Sequence, residues 1–426
     1  MSAITINKTA YSDNRPLSVI LVILVTLTCL QVALDLKFYR FESTAPNSLS
    51  GAISMATQIW AFLGSCFLLI TRPARKVGQS ISAGRILFLL SLYLLAVTLV
   101  NGGQVLTYIP TIFLCWAISR QEVTPEFLLR TIFISCSLVL VFSLLILVID
   151  PDSAIMRVNS DRLTPFAGQV AGITPHPNTL GLFAGFGLGM ALLTDSASRR
   201  LRLFLGLISI VLIVGSGSRL AYWIGALAIL FLFLKSGRFS ISKNFSRFTA
   251  LSALSLASFW IIVGLEPLLG VLNGRDKIWE EYIRFWQLQP IFGGGLDAGR
   301  FILLNGANTV TLVNGGQSHN EIIGDLVRGG ILGLGLVLIF GLILFKQLKD
   351  QGLFERPDIV FVCTALLSAA LVEQLVIFTM GSRTIFTFLL FMLGVMSTKY
   401  LSATLSDRTR QSFLQHPPTR GGESSS

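Results

Sequence analysis

Twelve apolar stretches, most of them long enough to cross a bilayer as a helix, limit what this chain can fold into. A transmembrane helix needs roughly 20 mostly apolar residues. The stretches run approximately 17–36, 50–70, 81–100, 104–118, 127–149, 177–193, 201–215, 219–234, 248–265, 321–345, 358–378 and 383–400. The fourth, seventh and eighth are short, and the Gly-Ser-Gly break at 215–217 divides what would otherwise be one run. Only 13% of the residues are charged and 53% are hydrophobic, whereas a soluble domain averages about 25% charged. The expectation is an all-α polytopic membrane protein of about twelve transmembrane helices.

Basic residues set the orientation, because positive loops resist translocation. With the N-terminus inside, the inner side holds 21 of the 33 Lys and Arg residues and the outer side 10. Compact inner clusters are Arg72/Arg75/Lys76, Arg199/Arg200/Arg202 and Lys235/Arg238/Lys243/Arg247. Residues 1–16 are then a cytoplasmic tail, 17–400 the membrane domain, and 401–426 a polar cytoplasmic tail whose composition reads as disordered. The first span follows Lys8 and Arg15 with no small-residue cleavage site after it, and reads as an uncleaved anchor. The net charge of +11 is explained by this topology and by contact with anionic lipid, so nucleic acid is not implied. All five cysteines lie in apolar spans, which argues against a disulfide framework or a zinc site.

Two expected outer loops, 150–176 and 266–320, are long enough to carry function. In the second, Ile278, Tyr282, Phe285 and Trp286 recur at helical spacing, with Glu280, Glu281 and Arg284 on the opposite side. That pattern fits an amphipathic helix, either lying at the membrane interface or packed on the rest of the protein. The expected outer face also gathers Arg162, Arg219, Arg275, Arg300 and Arg383. An arginine fork fits phosphate oxygens, so a diphosphate near the outer surface is one ligand that would account for them. The other account is contact with lipid phosphates or with Asp161, Asp276 or Asp297.

Within GGQSHNEIIGDLVRGGILGLG, residues 315–335, His319 and Asn320 stand at the mouth of the tenth span. Imidazole titrates near neutral pH and can take a proton from a hydroxyl, or it can serve structure. His176 opens the sixth span, too far along the chain and too short of acidic companions to suggest a metal site. Asp325 and Arg328, three apart, can pair on one helical face. Glycines 324, 329, 330, 333 and 335 would let helices approach closely. Glu373 falls mid-span in ALVEQLV, where a carboxylate is costly; a functional role and a hydrogen bond to a neighbouring helix are both open.

Four motifs in order give the chain a family resemblance. His319-Asn320 is followed after nine residues by Gly330-Ile331-Leu332-Gly333; GRDKIWEEYIRFWQLQPIFGGGLDAGRF contains Arg275; GSGSRLAYW contains Arg219; and DRLTPFAGQVAGITPHPNTLG contains Arg162 and Asn178. Together they resemble the O-antigen ligases and the related O-antigen and exopolysaccharide polymerases of bacterial envelopes. The resemblance implies a membrane glycosyltransferase architecture of the GT-C-like type, with a large periplasmic loop between helices 9 and 10. It implies residence in the bacterial inner membrane with both termini cytoplasmic and the site periplasmic. The implied donor is an undecaprenyl-diphosphate-linked oligosaccharide and the acceptor a glycan, with transfer by inversion and no metal or other cofactor. His319, Arg275 and Arg219 would be catalytic, and Arg162, Asn178, Asn320 and Arg300 would bind substrate. A polymerase of repeat units, working with a flippase and a chain-length regulator, is the primary expectation. The alternative in the same chemistry is a ligase to lipid A core. A transporter or flippase is the rival from another class, and no repeated halves favour it.

Overall fold

The computed structural model describes residues 15–40, 48–71, 83–121, 123–156, 165–166, 168–174, 176–195, 197–235, 275–299, 302, 318–373, 375 and 386–396. These are almost entirely helical. The helices are α1 Arg15–Arg40, α2 Ser48–Thr71, α3 Ala83–Val100, α4 Ile109–Ser119, α5 Pro125–Ile149, the single turn α6 Pro151–Ala154, α7 Pro177–Leu193, α8 Arg199–Ser216 and α9 Arg219–Lys235. They continue as α10 Arg275–Leu288, α11 Glu321–Asp350, α12 Pro357–Val372 and α13 Phe386–Met396. A two-residue ribbon, β1 Ile155–Met156 against β2 Gln169–Val170, is antiparallel and interrupts the first long loop, which the apolar pattern left without structure.

Helix ends fall where the punctuation puts them. Thr124 caps α5 by accepting from the Phe127 N–H, with Pro125 and Glu126 in the first turn; this gives an orphan donor its acceptor and complements the helix dipole. Gly217 at φ +58 ends α8, so the break at 215–217 does separate two helices. The ninth expected span, 248–265, lies outside the described residues, as do the long tail and residues 266–274, 300–301 and 303–317 of the second long loop.

Among the described residues, four helices are long and apolar enough to cross a membrane: Ala52–Thr71, Ala83–Val100, Pro125–Ile149 and Glu321–Asp350. Their outward faces are apolar. Phe62, Phe67 and Ile70 on α2 and Leu145, Val148 and Ile149 on α5 are all exposed. A face of that kind calls for hydrocarbon around it, and helices are the form in which the backbone stays satisfied there. The chain is therefore an all-α, membrane-embedded protein.

At the centre stands α7, of which every residue but Leu192 is buried. Its glycines replace side chains that would collide with neighbours on all sides. A Cβ at Gly185 would lie 2.8 Å from Ile224 on α9, one at Gly187 2.7 Å from Ser209 on α8, and one at Gly189 inside the ring of Phe361 on α12. Small residues of this sort let backbones approach. A second antiparallel pair is α3 with α11: the Ala83 N–H donates to Gln347 Oε1 at 3.2 Å near one end, and Tyr93 Oη donates to the Gly329 carbonyl at 2.8 Å further along.

The bundle has two unlike ends. At one, Asp195 meets Arg202 at 2.8 Å and Lys235 at 3.6 Å, and Arg356 meets Glu126 at 2.5 Å and Asp358 at 3.1 Å. Burial works against the charge on Arg356, but its two carboxylate partners outweigh that and raise its affinity for the proton. The opposite end collects the starts of α7, α9 and α11 with the finish of α12, and there the site is built.

Candidate functional site

His319 is held in an unusual backbone conformation, φ +49, the only non-glycine with positive φ among the described residues. Such a conformation costs on the order of 1–3 kcal/mol and persists only when surroundings over-determine it. They do so here. Trp279 Nε1 donates to the Ser318 carbonyl at 2.8 Å, and Ser318 Oγ donates to the Asn320 carbonyl at 2.7 Å. Asn320 works in two directions. Its Oδ1 accepts from the Ile323 N–H at 3.0 Å, capping α11, while its Nδ2 donates to the Leu371 carbonyl at 2.8 Å. The His-Asn pair is thereby locked to the last turn of α12.

That turn delivers Glu373. The helix stops at Val372 and Glu373 is extended, at φ −144 and ψ 155, so the mid-span placement read from the apolar run is corrected. Its carboxylate, nearly fully buried, gathers three distant segments. Oε1 accepts from Asn178 Nδ2 at 2.9 Å and from Arg275 Nη2 at 3.1 Å. Oε2 stands 3.2 Å from His319 Nδ1. The far nitrogen of the ring, Nε2, is buried and has no hydrogen-bond partner among the described residues.

Asn178 reaches this point because α7 starts there, capped by His176, whose Nδ1 accepts from the Asn178 N–H at 3.1 Å. Arg275 opens α10, the amphipathic helix. Its Ile278 and Tyr282 are buried in one cluster with Val327 of α11, so this part of its apolar face packs on protein. Burial pushes the Tyr282 phenol up; nearby Arg328 opposes that and Glu281 adds to it.

The glycines beyond α10 explain how that helix is fastened. At Gly330 α11 breaks, with φ 60 and ψ −161, and the Pro290–Gly295 segment docks into the break. Gly294 N–H donates to the Val327 carbonyl and Gly295 N–H to that of Arg328, both at 2.8 Å; Ile331 N–H donates to the Pro290 carbonyl at 2.9 Å. A Cβ at Gly293 would lie 2.5 Å from the Gly330 nitrogen. The close approach at Gly330 is thus between a helix and a loop. Among the described residues, no atom beyond the helix's own backbone lies within 4 Å of where a Gly335 Cβ would stand, so that glycine serves no close contact there. Asp297 then accepts from the Gln104 N–H at 2.6 Å and from the Tyr108 hydroxyl, tying the same segment to the connection between α3 and α4.

Asp325 and Arg328 do pair, at 2.5 Å, and Glu321 joins them at 2.6 Å from Arg328. The second oxygen of Glu321 accepts from the Leu375 N–H. Glu321 was missed as a member, although its i, i+4, i+7 spacing with Asp325 and Arg328 is visible in the sequence.

Of the expected site residues, the structure brings His319, Arg275 and Asn178 onto one carboxylate and places Asn320 beside them. Arg219 is exposed at the first position of α9. The turn leading into it packs on α7, where a Gly181 Cβ would lie 2.7 Å from Ser218 Cβ. Arg162, Arg300 and Arg383 lie outside the described residues. Glu373, the residue at the centre, was noticed in the sequence as costly but was not placed in the site. Among the described residues no group of three or more His, Cys, Asp and Glu side chains is arranged to hold a metal ion. No family model matches the chain and no curated protein matches it.

Proposed function

We propose that the chain is a membrane glycosyltransferase that joins undecaprenyl-diphosphate-linked oligosaccharide repeats into an exopolysaccharide, capsule or O-antigen chain, in the bacterial inner membrane. The single observation that carries the reading is the convergence of His319, Arg275 and Asn178 on Glu373, with His319 Nε2 left without a partner among the described residues. These three residues belong to three of the four motifs that carry the family resemblance, and they are far apart in the chain. A buried polar atom without a partner costs about 1–3 kcal/mol, a cost that a hydroxyl ligand would offset.

In this reading the acceptor sugar hydroxyl approaches Nε2 and gives up its proton there as its oxygen attacks the anomeric carbon of the donor. The bond from that carbon to the diphosphate oxygen breaks, the electron pair leaves with the diphosphate, and the anomeric configuration inverts. Arg275 holds the departing charge, and Arg219 at the mouth of α9 joins it. A guanidinium has five donors, enough to hold Glu373 and a phosphate oxygen together. Fixed cations aimed at developing charge lower the barrier without reorganisation. Because Nε2 is shielded from solvent in this state, entry of the acceptor displaces whatever covers it. Orientation follows the positive-inside rule: the end carrying Arg199, Arg200, Arg202, Lys235 and Arg356 faces the cytoplasm and the His319 end the periplasm.

The test is turnover of a purified, reconstituted protein given a polyprenyl-diphosphate-linked oligosaccharide. The expected result is longer lipid-linked glycan and released polyprenyl diphosphate, with both lost in His319→Ala. Transfer only to added lipid A core would replace the polymerase with a ligase. No turnover of donor with either acceptor would overturn the reading.

A further inference from the structure

We infer that Glu373 is a positioning residue that sets the tautomer of His319, placing the proton on Nδ1 and leaving the Nε2 lone pair to face the substrate. The inference rests on the proposed site, and its geometry is independent of which sugar is transferred. An ionised carboxylate only accepts hydrogen bonds. With Oε2 3.2 Å from Nδ1, a hydrogen bond there requires Nδ1 to be the donor. In a neutral imidazole the other nitrogen is then the acceptor, since the partner of one ring nitrogen decides the state of the other. Nε2 is the ring nitrogen without a partner among the described residues. A base built this way has its lone pair committed to the open side before substrate arrives.

The other oxygen of Glu373 makes the arrangement testable. Oε1 faces Arg275 Nη2 at 3.1 Å and Asn178 Nδ2 at 2.9 Å. An asparagine amide can turn over, but a guanidinium has donors only, so the atom facing Arg275 has to be an acceptor. In Glu373→Gln, a change of one oxygen for an NH2 at nearly constant shape, the amide oxygen is therefore claimed by Arg275. The amide NH2 is left facing His319 Nδ1. That nitrogen must now accept, and the proton moves to Nε2, where it blocks the lone pair that the reaction uses. The substitution keeps the packing and reverses the tautomer.

Nitrogen-15 spectra of the protein in liposomes, labelled at histidine, read the tautomer directly. The chain has three histidines, and the His319 signals are those absent from His319→Asn. The expected result is an Nδ1–H neutral tautomer in the unaltered protein and an Nε2–H tautomer in Glu373→Gln. Donor turnover in Glu373→Gln should fall about as far as in His319→Asn, on the order of 10²–10⁴-fold. The double variant should be no slower than His319→Asn alone, because residues acting through one another are not additive. An Nε2–H tautomer in the unaltered protein overturns the inference whether or not Glu373→Gln folds. So does an unchanged tautomer in a folded Glu373→Gln, or a double variant in which the two losses multiply. If the protein turns over no donor at all, the spectra still decide the role of Glu373, and it is the glycosyl transfer reading that fails.

Discussion

Gly330→Ala should destabilise the protein far more than a methyl group on a helix ordinarily does. Gly330 sits at φ 60 and ψ −161, a region essentially reserved for glycine, and forcing a side chain into it costs about 1–3 kcal/mol. The added Cβ would also overlap the Ile291 carbonyl, so the docked segment has to retreat. The Ile331 N–H to Pro290 and Leu332 N–H to Ile291 hydrogen bonds, at 2.9 and 3.3 Å, go with it at about 1 kcal/mol each. Strain and lost bonds together come to about 3–5 kcal/mol. Gly335→Ala is the control, since among the described residues nothing beyond the helix's own backbone lies within 4 Å of its added Cβ, and a glycine in a helix interior is worse than alanine by about 1 kcal/mol. Thermal unfolding in detergent, followed by the fraction remaining monodisperse, should show Gly330→Ala melting several degrees lower and Gly335→Ala level or higher. Because the docked segment fastens α10, and α10 begins with Arg275, the Gly330 variant should lose turnover as well. Equal melting of the two variants would refute the reasoning.

Two further outcomes follow from the charged groups. Arg328→Met leaves Glu321 and Asp325 buried without their cation, a loss of about 3–5 kcal/mol when one member of a buried ion pair is removed; the triple change with Glu321→Gln and Asp325→Asn should recover most of it in the same melting assay. Arg275→Lys replaces a fork that reaches Glu373 by a single point charge; turnover should fall steeply while the protein still inserts and melts near its usual temperature, and full turnover would reduce Arg275 to an anchor.

How much of this was legible in the sequence depends on whether the deciding contact is local. The start of α7 at Pro177 and the division of α8 from α9 were legible, because proline and glycine act on their own backbone. The motif residues were legible as chemistry, and the structure brings His319, Arg275 and Asn178 together. Glu373 was legible as a costly carboxylate with a functional role open, but its place at a helix end beside His319 was not, because its run is apolar on both sides and nothing in hydropathy marks the residue at which a helix ends. The signal for Gly330 was half present: FGGG and RGGI are both glycine-rich, but that one backbone docks on the other is a long-range fact. The choice between interface and packing for α10 was open, since tryptophan and tyrosine serve either; burial of Ile278 and Tyr282 shows the packing.

The central claim is that the unpartnered nitrogen of His319 takes the acceptor's proton, and His319→Asn tests it most directly. Asparagine can hydrogen-bond a hydroxyl but cannot hold its proton near neutral pH, and general-base assistance is worth about 10²–10⁴-fold. In reconstituted protein supplied with lipid-linked donor, turnover of His319→Asn should fall by that order while donor binding, which rests on the arginines, is kept. Turnover at the normal rate would contradict the account and leave His319 an orienting group only.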